Sequence, residues 1–332
     1  MRHGIDRRAF LKIASASLGY ATLHRVAPAW AGGEGAADVA GRTRARNGEA
    51  LQPFTFVQLS DTHVGFTGPA NPTGPAAFER AVETVNRLRP QPDLVLFTGD
   101  LTHDSEVPGE RVARMHRFRE IAGRLGVPIR KMVPGEHDAG LDGGALFQEL
   151  FGDTTYAFDH KGVHFVALDN VSRAKPEVGP ERLAWLEHDL ARFAPTAPII
   201  VFTHRPLFDL KPEWEWFTRD GDRVMNALAR FENVTVLYGH IHREDARTIG
   251  HVEHRAARSL MFAFPDPASA PEKKPLPFDH DRPFRDLGLR VVHARRGAAA
   301  GAISVGFDEV ELTMRERSGR DGFAQLLRPS SL

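Results

Sequence analysis

Val234-Thr235-Val236-Leu237-Tyr238-Gly239-His240-Ile241-His242 is the stretch on which the reading of this chain turns. Three apolar β-formers, Val234, Val236 and Leu237, run into a glycine and then into two histidines one residue apart. The pattern predicts a buried strand whose C-terminal end delivers two imidazoles. Residues i and i+2 of an extended segment point the same way, so His240 and His242 are expected to converge on a common centre. Neutral imidazole is the commonest metal ligand. A histidine pair at a strand end is more often a coincidence of packing, so the rest of the chain has to supply partners.

Working outward, the same strand-then-ligand pattern recurs. Phe54–Ser60 reads as a strand ending in Asp61-Thr62-His63, and Leu94–Thr98 as one ending in Gly99-Asp100. Ile129–Val133 runs into Pro134-Gly135-Glu136-His137-Asp138, and Ile199–Phe202 into Thr203-His204-Arg205. Amphipathic segments Ala76–Leu88, Arg111–Leu125, Glu181–Phe193 and Arg223–Phe231 read as intervening helices, with a shorter one around Leu146–Leu150. Tyr156–Asp159 and Val163–Asp169 read as a strand pair turning at Lys161-Gly162. Arg247–Phe264 and Ile303–Arg315 read as antiparallel strands, separated by a proline-rich, charged loop from Pro265 to Pro283. That loop carries Lys273 and Lys274 and is expected to overhang the site entrance. The alternation predicts an α/β domain with two sheets packed face to face and helices outside.

Composition removes several classes of function. The 332 residues carry no cysteine, which excludes disulfides, thiolate catalysis and cysteine-ligated zinc. Formal net charge is zero, so nothing favours a nucleic-acid or membrane partner, and the oligomeric state is left open. The N-terminus speaks to compartment. Arg7-Arg8-Ala9-Phe10-Leu11-Lys12, a mildly apolar segment from Ile13 to Leu23 and Ala29-Trp30-Ala31 resemble a twin-arginine export signal. Gly19, Pro28 and the glycines that follow disfavour a helix of the mature protein. The expected organisation is a signal peptide over 1–31, a flexible linker over 32–52, the catalytic domain over 53–320 and a tail over 321–332. The twin-arginine export machinery is then a partner, and the location is periplasmic or secreted.

Five strand tips thus deliver Asp61, His63, Asp100, Glu136, His137, Asp138, His204, His240 and His242. Ends of parallel strands are where α/β sheets gather functional groups. Desolvating several carboxylates and imidazoles costs several kcal/mol each without a compensating cation. Nitrogen and oxygen donors without sulfur suit iron, manganese, zinc or nickel. There are too many ligands for one tetrahedral ion, whereas two metals roughly 3.5–4 Å apart, bridged by a carboxylate and a water, use them all.

The ordered set Asp-x-His, Gly-Asp, Gly-x-His-Asp, Thr-His and Gly-His-x-His, spread over residues 54–245, resembles the calcineurin-like metallophosphoesterase family. Gly179-Pro180-Glu181 followed by Leu183-Ala184-Trp185-Leu186 resembles its cyclic-nucleotide-phosphodiesterase-like branch. The resemblance implies a four-layer αββα double sandwich and hydrolysis of small phosphomono- or phosphodiesters at a dinuclear centre. It implies that Asp61, His63 and His242 hold one metal, His204 and His240 the second, and Asp100 bridges. His137 would stay unligated, steering the phosphate or protonating the leaving oxygen, and Arg205 would contact the substrate phosphate. The family usually has Asn where this chain has Glu136. A glutamate ligand adds one negative charge, from which a mixed-valence iron(III)/divalent pair is expected. The alternative is a metal-binding but catalytically weak member of the fold. Purple acid phosphatases place Tyr where this chain has His103, and their first motif lacks His63, so that branch is disfavoured; His103 is expected outside the ligand set.

Overall fold

The computed structural model describes residues 52–297 and 303–313. The signal peptide over 1–31, the linker over 32–52 apart from Gln52, and the tail over 321–332 lie outside the described residues.

Two mixed sheets form the centre. The first contains β1 (Phe54–Leu59), β2 (Leu94–Thr98), β3 (Ile129–Val133), β10 (Gly288–Arg296) and β11 (Ile303–Glu311), in the order β11-β10-β1-β2-β3. The second contains β4 (Tyr156–His160), β5 (Val163–Ala167), β6 (Pro198–Phe202), β7 (Asn233–Tyr238), β8 (Asp245–Ile249) and β9 (Val252–Ala256), in the order β4-β5-β6-β7-β9-β8. β1, β2 and β3 run parallel, as do β5, β6, β7 and β9, so within each sheet the site-bearing strands end on the same side.

The central strands β2 and β6 are near-continuous apolar runs because both faces are covered. In β1, Phe54 and Phe56 join the core between the sheets while Val57 and Leu59 join a second core. That second core also holds Phe78, Val82 and Val85 of helix α1 (Ala76–Arg87) and Met115, Phe118 and Ile121 of helix α2 (Pro108–Ala122). β6 splits likewise: Ile200 and Phe202 face the inter-sheet core, and Ile199 and Val201 face outward. The outer residues meet Leu183, Leu186 and Leu190 of helix α5 (Pro180–Leu190) and Val224 and Leu228 of helix α6 (Gly221–Leu228). Helix, sheet, sheet, helix is therefore the layer order, the expected double sandwich. Two short helices, α3 (Glu136–Ala139) and α4 (Ala145–Phe151), follow β3.

Three differences from the sequence reading bear on the fold. Arg247–Phe264 is not one strand: β8 and β9 form a hairpin turning at Gly250-His251, and the chain beyond Ala256 is irregular. β10 went unread, although it pairs with both β1 and β11. The predicted Arg111–Leu125 helix begins at Pro108 and ends at Ala122, because Pro is favoured in the first turn, where its missing N–H is not needed.

Candidate metal centre

The loops after β1, β2, β3, β6 and β7 meet in one buried place. Asp61, His63, Asp100 and His242 form one group of potential ligand atoms lying within 4.8 Å of one another. Asp100, Glu136, His204 and His240 form a second under the same limit, and Asp100 belongs to both. Its Oδ2 stands 3.4 Å from His63 Nε2 and 3.4 Å from His204 Nε2.

Backbone strain concentrates here. Asp61, His63, Asp100, His240 and His242 all have positive φ, between 39° and 67°. Non-glycine residues adopt this region only where surroundings impose it, and such residues gather at functional sites. It also corrects the extended-segment reading of the histidine pair. β7 ends at Tyr238, the next residues bend, and the two rings diverge: His240 enters the second group and His242 the first.

Tight backbone contacts hold the loops in register. The Asp61, His63 and Val64 amides donate to the carbonyls of Gly99, Asp100 and Leu101 at 3.0, 2.9 and 3.1 Å. The His240 amide donates to both Asp61 carboxylate oxygens, at 3.1 and 3.2 Å. Gly135 and Gly239 permit this closeness. A Cβ on Gly135 would lie 2.0 Å from Asp100 Oδ1, and one on Gly239 2.1 Å from Ser60 Oγ. Asp138 braces two of the loops against each other. Its carboxylate accepts from the amides of Gly135, Leu101 and Thr102 at 2.8–2.9 Å and from the Thr102 hydroxyl at 3.0 Å, tying the β2 loop to the β3 loop. Burial and the neighbouring Asp100 push it up to about 6.

The histidine hydrogen bonds test whether a cation fits. His204 Nδ1 lies 2.7 Å from the Thr98 carbonyl, His242 Nδ1 2.8 Å from the Phe262 carbonyl and His240 Nε2 3.1 Å from the Glu215 carbonyl. A carbonyl only accepts, so each of these nitrogens carries the proton and the other ring nitrogen of the neutral ring bears a lone pair. Those lone pairs face negative charge. His204 Nε2 is 2.8 Å from Glu136 Oε2, His240 Nδ1 is 2.8 Å from Glu136 Oε1, and His242 Nε2 is 3.3 Å from Asp61 Oδ1. His204 Nε2 and Glu136 Oε2 are buried with no hydrogen-bond partner. Either a proton or a metal must sit between such groups. Outer N–H groups anchored on carbonyls with inner nitrogens free are how metal-binding histidines are oriented, so this donor set fits two adjoining cations.

The side chains feel the crowding. Burial, then His242 and His137, hold His63 well below the usual histidine range. Burial takes His240 down to about 3 despite Glu136. At His204 burial is outweighed by Asp100 and Glu136, which hold it well above its usual value. Burial opposes the charge of Glu136, but His240, Arg205 and His204 keep it well below the usual carboxylate range.

Arg205 is buried, with Nη1 donating to the Glu215 carbonyl at 2.8 Å and Nη2 3.5 Å from Glu136 Oε1. His137 stands at the open side. Its amide donates to Asp100 Oδ1 at 3.0 Å, its ring stacks on His103 with centroids 4.6 Å apart, and its Nδ1 is 2.8 Å from Asp104 Oδ1. Burial works against its charge, but Asp100, the Asp104 hydrogen bond and Glu136 raise it to about 9. His103 Nδ1 is 3.4 Å from His63 Nδ1, on the side of that ring away from the first group. The reading of the sequence missed Asp104 and the Glu215 carbonyl. Asp104 lies four residues beyond Asp100, outside the Gly-Asp motif, and a backbone carbonyl leaves no mark in side-chain identity.

Residues 54–244, more than half of the chain, match the calcineurin-like phosphoesterase family. The chain belongs to that family, and with phosphodiesterases and phosphatases as its relatives it is a phosphoric ester hydrolase. It is 29% identical over 201 residues to a probable glycerophosphodiester phosphodiesterase of Arcobacter nitrofigilis, covering 56% of this chain and 71% of that protein. It is 30% identical over 208 residues to a probable cyclic nucleotide phosphodiesterase of Rhodopseudomonas palustris, covering 57% of this chain and 71% of that protein. Purple acid phosphatase PPD1 from yellow lupin superposes with a TM-score of 0.58 at 14% identity over 79% of this chain and 52% of the lupin chain, about half its length. That likeness shows the fold alone.

Proposed function

We propose that this chain is an exported phosphodiesterase working through two metal ions, iron, manganese, zinc or nickel, held by the two residue groups that share Asp100. The observation that carries the reading is that sharing: one buried carboxylate reaches both histidine sets at 3.4 Å. Asp61, His63 and His242 would complete one site, and Glu136, His204 and His240 the other. Diesters are favoured over monoesters by the names of the bacterial relatives. Export to the periplasm or medium rests on the Arg7-Arg8 segment alone.

Bound cations would draw charge from the phosphate and acidify water enough for attack near neutral pH. The chain's own residues do the rest. Arg205, anchored by the Glu215 carbonyl, would give its guanidinium to a non-bridging phosphate oxygen. Water would give up a proton to solvent as its oxygen bonds to phosphorus and the bond to the leaving oxygen breaks, and His137 would give that leaving oxygen its proton. Asp104 at Nδ1 fixes the His137 ring so that Nε2 carries the transferred proton.

Glu136 motivates a second reading, a cation-binding but slow protein. Three carboxylates, Asp61, Asp100 and Glu136, set against two divalent ions leave one net positive charge; with Asn at that position the sum is two. Arg205, 3.5 Å from Glu136, adds one positive charge back. A divalent pair then meets the need for which iron(III) was expected, and iron(III) with a divalent ion becomes an alternative loading. Turnover of bis(p-nitrophenyl) phosphate and of p-nitrophenyl phosphate by metal-loaded protein tests the reading. Faster diester hydrolysis that a chelator abolishes supports it, and tight metal binding without turnover favours the second reading. Arg7→Lys together with Arg8→Lys should retain the precursor in the cytoplasm.

A further inference from the structure

The loop from Pro265 to Pro283 is largely exposed but is tied to the chain around the site at several points. Arg243 donates to the Pro265 carbonyl at 3.3 Å and pairs with Asp266 at 3.1 Å, and the Leu276 amide returns to the Ala263 carbonyl at 2.8 Å. Ala270 packs with Phe264 against Trp214, Trp216, Tyr238 and Ile241. Trp214 and Trp216 belong to a small turn closed by the Lys211–Trp216 bridge, in which Glu215 has φ 59°. That left-handed residue aims the carbonyl that takes both Arg205 and His240.

Two lysines sit side by side on the loop and differ. Lys274 pairs with Glu272 and is 77% exposed along its side chain, so it serves only its own loop. The Lys273 residue is exposed, but its ammonium end turns inward, donating to the Trp214 carbonyl at 3.1 Å and lying 5.6 Å from the Phe264 ring centroid. Trp214 is the residue next to Glu215, so the turn receives Lys273 on one carbonyl and Arg205 on the next. Among the described residues Lys273 has no carboxylate within salt-bridge distance; burial of its ammonium end, joined by the charge of Arg205, lowers its pKa against the pull of Glu136, Glu215 and Asp100. An ammonium has three N–H donors, and Trp214 takes one.

We propose that Lys273 is a specificity-determining residue that, beside Arg205, receives a second anionic group on the substrate, a carboxylate or a phosphate outside the bond being cleaved. The proposal rests on the phosphodiesterase reading and names its substrate class: phosphodiesters with an additional acidic group on one arm. Trp214 leaves Lys273 two N–H donors for an anion held beside Arg205, and the charge-assisted hydrogen bonds it would form are worth about tenfold or more each in binding.

The test compares metal-loaded full-length wild type with Lys273→Met, which keeps the apolar stem, and Lys273→Arg, which keeps the charge. Two probe pairs differ by one anion: the p-nitrophenyl esters of thymidine 5′-phosphate without and with a 3′-phosphate, and glycerophosphoethanolamine against glycerophosphoserine. Wild type should favour the more acidic member of at least one pair by about tenfold in kcat/KM, and the pair identifies the anion as phosphate or carboxylate. Lys273→Met should lose that preference, Lys273→Arg should keep it, and bis(p-nitrophenyl) phosphate turnover and metal content should be unchanged in both. Calorimetric binding of thymidine 3′,5′-bisphosphate and thymidine 5′-phosphate reads the same preference without turnover, so an inactive wild type would sink the phosphodiesterase reading while leaving Lys273 judged by binding. Equal handling of both members of both probe pairs by wild type, in turnover or in binding, or a preference that survives Lys273→Met, overturns the proposal.

Discussion

Glu136 Oε2 and His204 Nε2 face each other at 2.8 Å, both buried and neither with a hydrogen-bond partner. A cation between them satisfies both, and Arg205 on the other carboxylate oxygen moderates the added charge. Glu136→Asn removes that charge and leaves Arg205 in place. We expect KM for an anionic diester to fall by several-fold and the second metal to be held more weakly, as read by kinetics at graded metal concentration. An unchanged KM and metal affinity would show that Glu136 has no part in the centre.

Asp104 and His137 form a pair at 2.8 Å on the open side of the site. His137→Ala should keep both metals and lose at least ~100-fold in kcat, the scale of acid–base assistance. Asp104→Asn should cost less, about tenfold, because the ring is still present but no longer held in one tautomer. Loss of metal in His137→Ala would mean that the ring is a ligand and that its assigned role is wrong.

Gly135 lies against Asp100 so closely that a methyl group has no room, with 2.0 Å to Oδ1 and 2.3 Å to the Asp100 amide. Gly135→Ala should displace the shared carboxylate and lower both metal content and turnover by ~100-fold or more. Gly109→Ala, in α2 with nothing within 4 Å of the added carbon, is the control. It should leave activity alone and stabilise the fold by about 0.5–1 kcal/mol, since alanine restricts the unfolded chain. Equal effects of the two substitutions would remove the steric argument.

His164 belongs to neither ligand group and makes a separate prediction. Buried in β5, it bridges Asp159 at 2.7 Å and Asp189 of α5 at 2.8 Å. Burial opposes its charge, yet the two carboxylates raise its pKa, while Asp189 is lowered against burial chiefly by His164. A raised histidine stabilises fully below its unfolded value near 6.5, and that stability fades as pH rises through the folded value. The lowered Asp189 contributes above about 3.9 and fades as pH falls through its own folded value. Replacing His164 by Gln should therefore cost about 1–3 kcal/mol at pH 6 and progressively less toward pH 9. Thermal melts across that range should show the gap closing; a constant gap would mean that packing, not charge, is lost.

Much of this was legible in residue identity. β2 was read to the residue because a central strand covered on both faces is an uninterrupted apolar run; β3, an edge strand carrying Arg130 and Lys131, is bounded by Pro128 and Pro134, and the ligand-bearing tips follow both strands directly. β10 hid because Arg290 and His293 interrupt its pattern. Arg290 is 1% exposed, neutralised by Glu309, Gln58 and the Ala256 carbonyl, partners distant in sequence. The allocation of His240 and His242 to different groups could not come from extended geometry, since both bend into positive φ past the strand. The reach of Lys273 to Trp214 spans 59 residues and depends on a turn that shows no sequence period.

The central claim is that Asp100 serves two metal ions at once. The direct measurement is metal content per chain, by elemental analysis of full-length protein after manganese loading and desalting, for wild type and Asp100→Asn. The account predicts two ions per wild-type chain and one or fewer in the variant, with bis(p-nitrophenyl) phosphate turnover abolished. A wild type that holds a single ion, or an Asp100→Asn variant that keeps two and retains more than a tenth of the activity, would contradict it.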